Sequence, residues 1–185
     1  MNKFFAIFFT VFLFSNQALA QDGKLLVKSQ YFSVYDTDDV DVYTLLSKLN
    51  FNYFLHLGGI SDRGEGDLKG LLAKTLDSLF LEVSDSLDMH IYSYQGNIKF
   101  LANQTELDAL VRSLFRRGFS ERSLYIHEEN TIYISSADLT LGMLAHEIAH
   151  AIISHYFVVP PPAKVQEILS GYVEYSLRKS TSTLP

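Results

Sequence analysis

The chain has 185 residues, a formal charge of −6 at pH 7 and no cysteine. Its cations form no basic tract, which disfavours nucleic-acid binding, and without cysteine there is neither a disulfide nor a lipoprotein attachment site. A chain of this length suits one domain around one core.

Residues 1–20 have the pattern of an export signal. Lys3 is a positive start, 4–14 are apolar, and Ala18-Leu19-Ala20 is a small-residue cleavage site. The apolar run is short for a membrane span of about 20 residues. Cleavage after Ala20 is expected, leaving a secreted or periplasmic domain over 21–185; an uncleaved N-terminal anchor is the alternative. Losing Lys3 takes the charge to −7, an acidic surface that mostly serves solubility.

Residues 25–35 are rich in β-branched and aromatic side chains and predict one strand. The acids in 36–39 end it and cap a helix over 40–55; they lack the Gly and distal Glu of a calcium loop. Four glycines in 57–66 predict a loop, without the spacing of a phosphate cradle. Leucines at 68, 71, 72, 76, 79 and 87 predict a core-facing helix over 67–87. Residues 89–94 alternate as a short strand, with His90 an ordinary strand histidine. A helix follows over 103–118, capped by Asn103 or Thr105 and stopped by Gly118, with Arg112, Arg116 and Arg117 on a solvated face. Residues 123–127 and 131–135 predict a hairpin turning at 128–130.

The chemistry is concentrated in 139–157, an apolar helix capped by Asp138 or Ser136, whose centre is His146-Glu147-Ile148-Ala149-His150. Helical residues four apart share a face, so His146 and His150 can grip one divalent ion, and Glu147 can reach a water on it. Polar groups in a nearly all-apolar helix need a compensating partner, and zinc is an economical one. A third ligand is required. The metzincin pattern would need Gly at Ile153 and a third His at Tyr156, and His155 misses by one residue, so that pattern fails. After the breaker Pro160-Pro161-Pro162, a helix over 163–179 brings Glu167, the first acid after the histidine pair.

HEIAHAI followed by P-x-K-V-Q-E-I-L-S-G-Y-V-E-Y resembles the gluzincin metallopeptidases, most closely the small peptidase MA-like, or minigluzincin, group. Glu167 falls on that group's zinc-ligand glutamate, Ser170 on its small residue, and Tyr172 and Glu174 on its Y-x-E pair. Val165-Gln166 and Ile168 depart from its pattern, and the strong part of the resemblance spans 131–179. It implies an α+β, zincin-like single domain, with a small mixed or antiparallel sheet packed on the HExxH helix and a glutamate helix behind. It also implies that strand 131–135 lies at the sheet edge and pairs with an extended peptide or protein substrate.

The ligand set His146, His150 and Glu167 leaves a fourth position on Zn2+ for water, whose pKa falls towards about 7. Glu147 would take that water's proton and pass it to the leaving amine. Candidates for a bond to the developing oxyanion are Tyr156, Tyr172 and Tyr175, with His155 and His127 behind them. The residues do not choose among these, and Tyr172 is set beside Glu147 as the catalytic candidate. Glu174 can orient a ligand imidazole or pair with Arg178. The expected function is a zinc metalloendopeptidase. The alternatives are a zincin scaffold that binds peptides without cutting them, and a membrane-embedded protease with 139–159 as a span. Lys164, Arg178 and Lys179 disfavour the last, and no stable membrane insertion is expected after signal cleavage.

Overall fold

A computed structural model describes residues 23–37, 40–49, 67–115 and 122–181. The expected signal and the glycine-rich loop lie outside the described residues. Where one strand was expected over 25–35, the chain forms a hairpin of β1 (Lys24–Lys28) and β2 (Phe32–Asp36). Ser29 closes the turn: its N–H donates to the Phe32 carbonyl (2.8 Å) and its hydroxyl accepts from Phe32 N–H (3.0 Å). The carboxylate of Asp77 then accepts from Gln30 and Tyr31 N–H, each at 3.1 Å. A remote side chain makes this turn, so no Gly, Pro or Asn was needed to mark it.

Helix α1 (Val42–Leu49) starts two residues later than expected. Its cap is Asp41, which accepts from Thr44 N–H at 3.0 Å and Thr44 hydroxyl at 2.7 Å; these bonds hold the carboxyl below its usual pKa. Asp36 instead accepts from Val40 N–H at 2.7 Å. Helix α2 (Leu68–Leu87) matches its leucine stripe, with Asp67 accepting from Gly70 N–H at 2.8 Å and Leu72, Leu76 and Leu79 fully buried. Phe80 on α2 is sandwiched between Tyr31 (ring centroids 4.1 Å apart) and Tyr94 (5.1 Å), with Phe32 edge-on.

Residues 89–94 are not a strand; the third strand is β3 (Gly96–Leu101). The alternation in 89–94 puts Tyr94 into the aromatic stack, and its hydroxyl donates to Asn130 at 2.9 Å. A side chain at Gly96 would run into that hydroxyl, so the close approach there requires glycine. Helix α3 (Gln104–Phe115) is capped by Asn103, one of the two expected caps, and the bond is reciprocated: Asn103 accepts from Glu106 N–H (3.2 Å) and Glu106 from Ala102 N–H (3.0 Å). Gly118, Arg116 and Arg117 lie outside the described residues.

Strands β4 (Ser123–Ile126) and β5 (Thr131–Ser135) form the expected hairpin, turning through Asn130 at φ 47°. The five-stranded mixed sheet runs β1-β2-β3-β5-β4, with β3 parallel to both β2 and β5. β5 is therefore interior, and the edge expected at 131–135 belongs to β4. On one face Ile98, Phe100, Ile132 and Ile134 join the main core; on the other Tyr133 and Leu101 meet Leu107 and Val111 of α3.

Helix α4 (Leu141–Tyr156) is capped by Thr140, whose hydroxyl accepts from Met143 N–H at 3.2 Å. Asp138 accepts from Ser135 instead, and Ser136 donates to the Ala102 carbonyl, so both expected caps are committed elsewhere. Helix α5 (Ala163–Ser180) runs back along α4: Arg178 and Glu174 lie over Gly142, where a Cβ would meet their stems at 3.0–3.1 Å. The described residues thus form an α+β fold of five strands and five α-helices.

The aromatic stack ties the first hairpin, α2 and the approach to β3. Phe80→Ala should cost about 3–5 kcal/mol, read from the urea midpoint at unchanged slope.

Candidate metal centre

The motif helix holds His146 and His150 one turn apart, and α5 supplies a carboxylate between them. The two Nε2 atoms are 3.2 Å apart; Glu167 Oε2 is 3.4 Å from His146 Nε2, and Oε1 is 3.3 Å from His150 Nε2. Ligands about 2.0–2.1 Å from a zinc ion at tetrahedral angles stand about 3.3–3.4 Å from one another. The imidazole pair stands close to that spacing, and each carboxylate oxygen stands at it from one of the two rings, so the donor set of two imidazoles and one carboxylate suits the ion. Among the described residues, this is the group of potential ligands whose donor atoms converge.

Surrounding side chains set the orientation of the rings. Burial, and then His146, hold His150 below the usual histidine pKa, which keeps its ring neutral and its lone pair free. Gln166, anchored by its amide N–H on the Pro161 carbonyl at 2.8 Å, hydrogen-bonds to His150. Nδ1 of His146 is buried and without a hydrogen bond, yet Glu174 Oε2 stands only 3.4 Å away. The other Glu174 oxygen is 3.5 Å from Arg178, so the two roles considered for Glu174 are combined in one side chain. A small rotation completes the bond from His146, the arrangement that orients a metal-bound imidazole.

Glu147 turns the other way, into the floor of a cleft. It is 7 % exposed, and Ser123 donates to Oε1 at 2.7 Å. Tyr125 N–H also donates to the carboxylate, from the outward-facing side of β4. Burial pushes the Glu147 pKa up; the bonds from Ser123 and Tyr125 and the neighbouring His146 oppose that rise. A carboxyl displaced towards neutrality in a cleft is suited to exchanging a proton with a bound molecule.

The cleft has a volume of about 600 Å³. Its apolar wall is Val111 and Phe115 of α3, Leu124 of β4, and Pro160 and Ala163 before and at the start of α5. Tyr125 and His127 close the end beyond Glu147. A second cavity, of about 520 Å³, is bordered by Asp36, Asp41 and Asp67, all three already engaged in the helix starts described above.

The three expected ligands and Glu147 are thus gathered at one place, but Tyr172 is not. It is 57 % exposed on the outer side of α5 and does not line the cleft; Tyr156 and Tyr175, also about half exposed, do not line it either. The tyrosine that does is Tyr125, which no motif in the sequence marks. Its hydroxyl donates to Asn130 (3.3 Å) and lies 3.5 Å from His127 and 3.4 Å from His155; burial raises its pKa, so it stays a neutral donor. Ser123 and Gln166 were missed as well, since nothing local distinguishes a strand serine or helix glutamine that reaches across to a motif residue. None of the protein-family models, curated proteins or solved structures compared with the chain matches it.

Proposed function

We propose that the cleft is the active site of a zinc-dependent metallopeptidase, on a zincin-like domain exported to the periplasm or the cell exterior. The observation that carries this reading is the convergence of His146, His150 and Glu167 at zinc-ligand spacing beside a buried glutamate on the same helix turn. The gluzincin-like order of residues over 131–179 supports it from the sequence side.

When bound, zinc supplies a Lewis acid that polarises a carbonyl and acidifies water. The chain's own residues do the rest. Glu174, beside His146 Nδ1, and Gln166, hydrogen-bonded to His150, would orient the two imidazoles that hold the ion. Glu147 takes a proton at its carboxylate from the water whose oxygen bonds to the peptide carbonyl carbon, and returns it to the nitrogen that leaves as the C–N bond breaks; its raised pKa brings the two transfers closer in energy. Ser123 fixes the plane of that carboxylate. β4, as the free edge, offers the outward carbonyls of Ser123 and Tyr125 to an extended peptide by strand addition. The apolar wall of α3 and Leu124 receives a side chain of that peptide.

A second reading, a scaffold that holds peptides without cutting them, is favoured by one observation. The expected tyrosine donors on α5 face away from the cleft, and Glu147 is tied by two hydrogen bonds to β4. The membrane-embedded alternative finds no support, since no described helix is long and apolar enough to cross a bilayer.

Calorimetric titration should show one zinc ion per chain, abolished in His150→Ala and weakened about 10–100-fold in Glu174→Gln. A Glu174→Gln protein with unchanged affinity would remove that residue from the centre. Peptide-library digestion should give metal-dependent cuts whose rate falls at least about 100-fold in Glu147→Gln with zinc content intact. Zinc binding without any cut in the wild type would select the scaffold.

A further inference from the structure

Eight of the thirteen large apolar side chains left exposed among the described residues fall between 156 and 175. Four lie on α5 at spacings of three, four and three: Val165, Ile168, Tyr172 and Tyr175. That spacing makes one narrow stripe, opposite the buried Ser170, Val173 and Leu177. Ahead of it, Val158 and Val159 project from the α4–α5 loop at 102 % and 80 % exposure.

We propose that this loop and the outer face of α5 dock the protein onto an anionic lipid bilayer. Charge selects the occupant. Lys164 and Lys179 bracket the stripe, while the acids of α5 lie off it and are engaged beside it: Glu167, though 62 % exposed, with His146 and His150, and Glu174 with His146 and Arg178. The docking face is therefore cationic on a chain whose net charge is −6. Pairing with a second copy would set lysine against lysine whether the two helices ran parallel or antiparallel. The stripe is also shorter than the three to four heptads a stable coiled coil needs. A bilayer meets each feature. Its acyl boundary accepts the projecting valines without a matching pocket, its headgroup level suits the two tyrosines, and its anionic lipids attract lysines that extend outward. Binding of this kind lies on the surface and crosses nothing, and no helix among the described residues is long and apolar enough to span. Pro160 and Ala163 line the cleft, so docking would bring the cleft mouth close to the lipid. None of this requires a metal at the centre.

The chain has no tryptophan, so Val159→Trp in the full chain gives a single reporter, and Tyr43→Trp, at a 66 % exposed site on α1, a control. With phosphatidylcholine vesicles containing phosphatidylglycerol, the residue-159 emission should shift to the blue and be quenched by brominated lipid, while the control stays unchanged. Adding Lys164→Glu and Lys179→Glu should weaken partition by about tenfold or more at an unaltered circular dichroism spectrum. No shift on vesicles, an equal shift in both reporters, or full binding by the charge-reversed protein would overturn the proposal. So would a lipid-free shift that grows with protein concentration, which marks a second copy. A matching shift with polyglutamate would point instead to an acidic protein partner.

Discussion

The distance between α4 and α5 governs what the histidine pair can do. Two potential ligands sit on α4, itself buried between the sheet, α2 and α5, but the third stands on a separate helix, on a side chain 62 % exposed. Gly142 lets the far end of α5 settle against α4, with the stems of Arg178 and Glu174 on the bare backbone. At the near end, Pro160-Pro161-Pro162 cannot continue a helix, and the Pro162 carbonyl accepts from Val165 (2.8 Å) and Gln166 (3.2 Å) to start the next one. Gly142 at one end and the prolines at the other hold Glu167 against the histidine pair.

The buried glutamate shows a different balance. An apolar helix is a poor place for an acid, and burial alone would keep Glu147 protonated. The fold answers with a hydroxyl and a backbone N–H from a neighbouring strand and with the adjacent His146, all three opposing the rise that burial causes. None of them is a permanent cation such as lysine or arginine, which would hold the carboxyl firmly in its charged form.

Much of this was legible in the sequence where local rules decide. The leucine stripe of α2, the 123–135 hairpin, the Asn103 cap of α3 and the His146–Glu147–His150 triplet depend on local sequence alone. Remote partners hid the rest. The turn at 29–31 relies on Asp77, more than forty residues away, so its sequence looks like uninterrupted strand. Residues 89–94 and 96–101 both alternate, and only parallel neighbours on either side select the second. Tyr172 is a case where the helix wheel could have decided. Five residues on from Glu167 it stands about 140° around α5, out of reach of anything Glu167 touches.

The hairpin order carries a consequence for how the cleft comes into being. β4 precedes β5 in the chain, and among the described residues β5 is the strand beside it, inserted between it and β3. The strand carrying Ser123 therefore takes its place in the sheet only once residues that follow it have found theirs. It is four residues long, so it should also be among the first parts of the sheet to detach in native-state fluctuations. Each such detachment would untie Glu147 from Ser123 and Tyr125 and uncover that side of the cleft in a single motion, making the protonation of the carboxyl and access to the cleft two aspects of one local equilibrium.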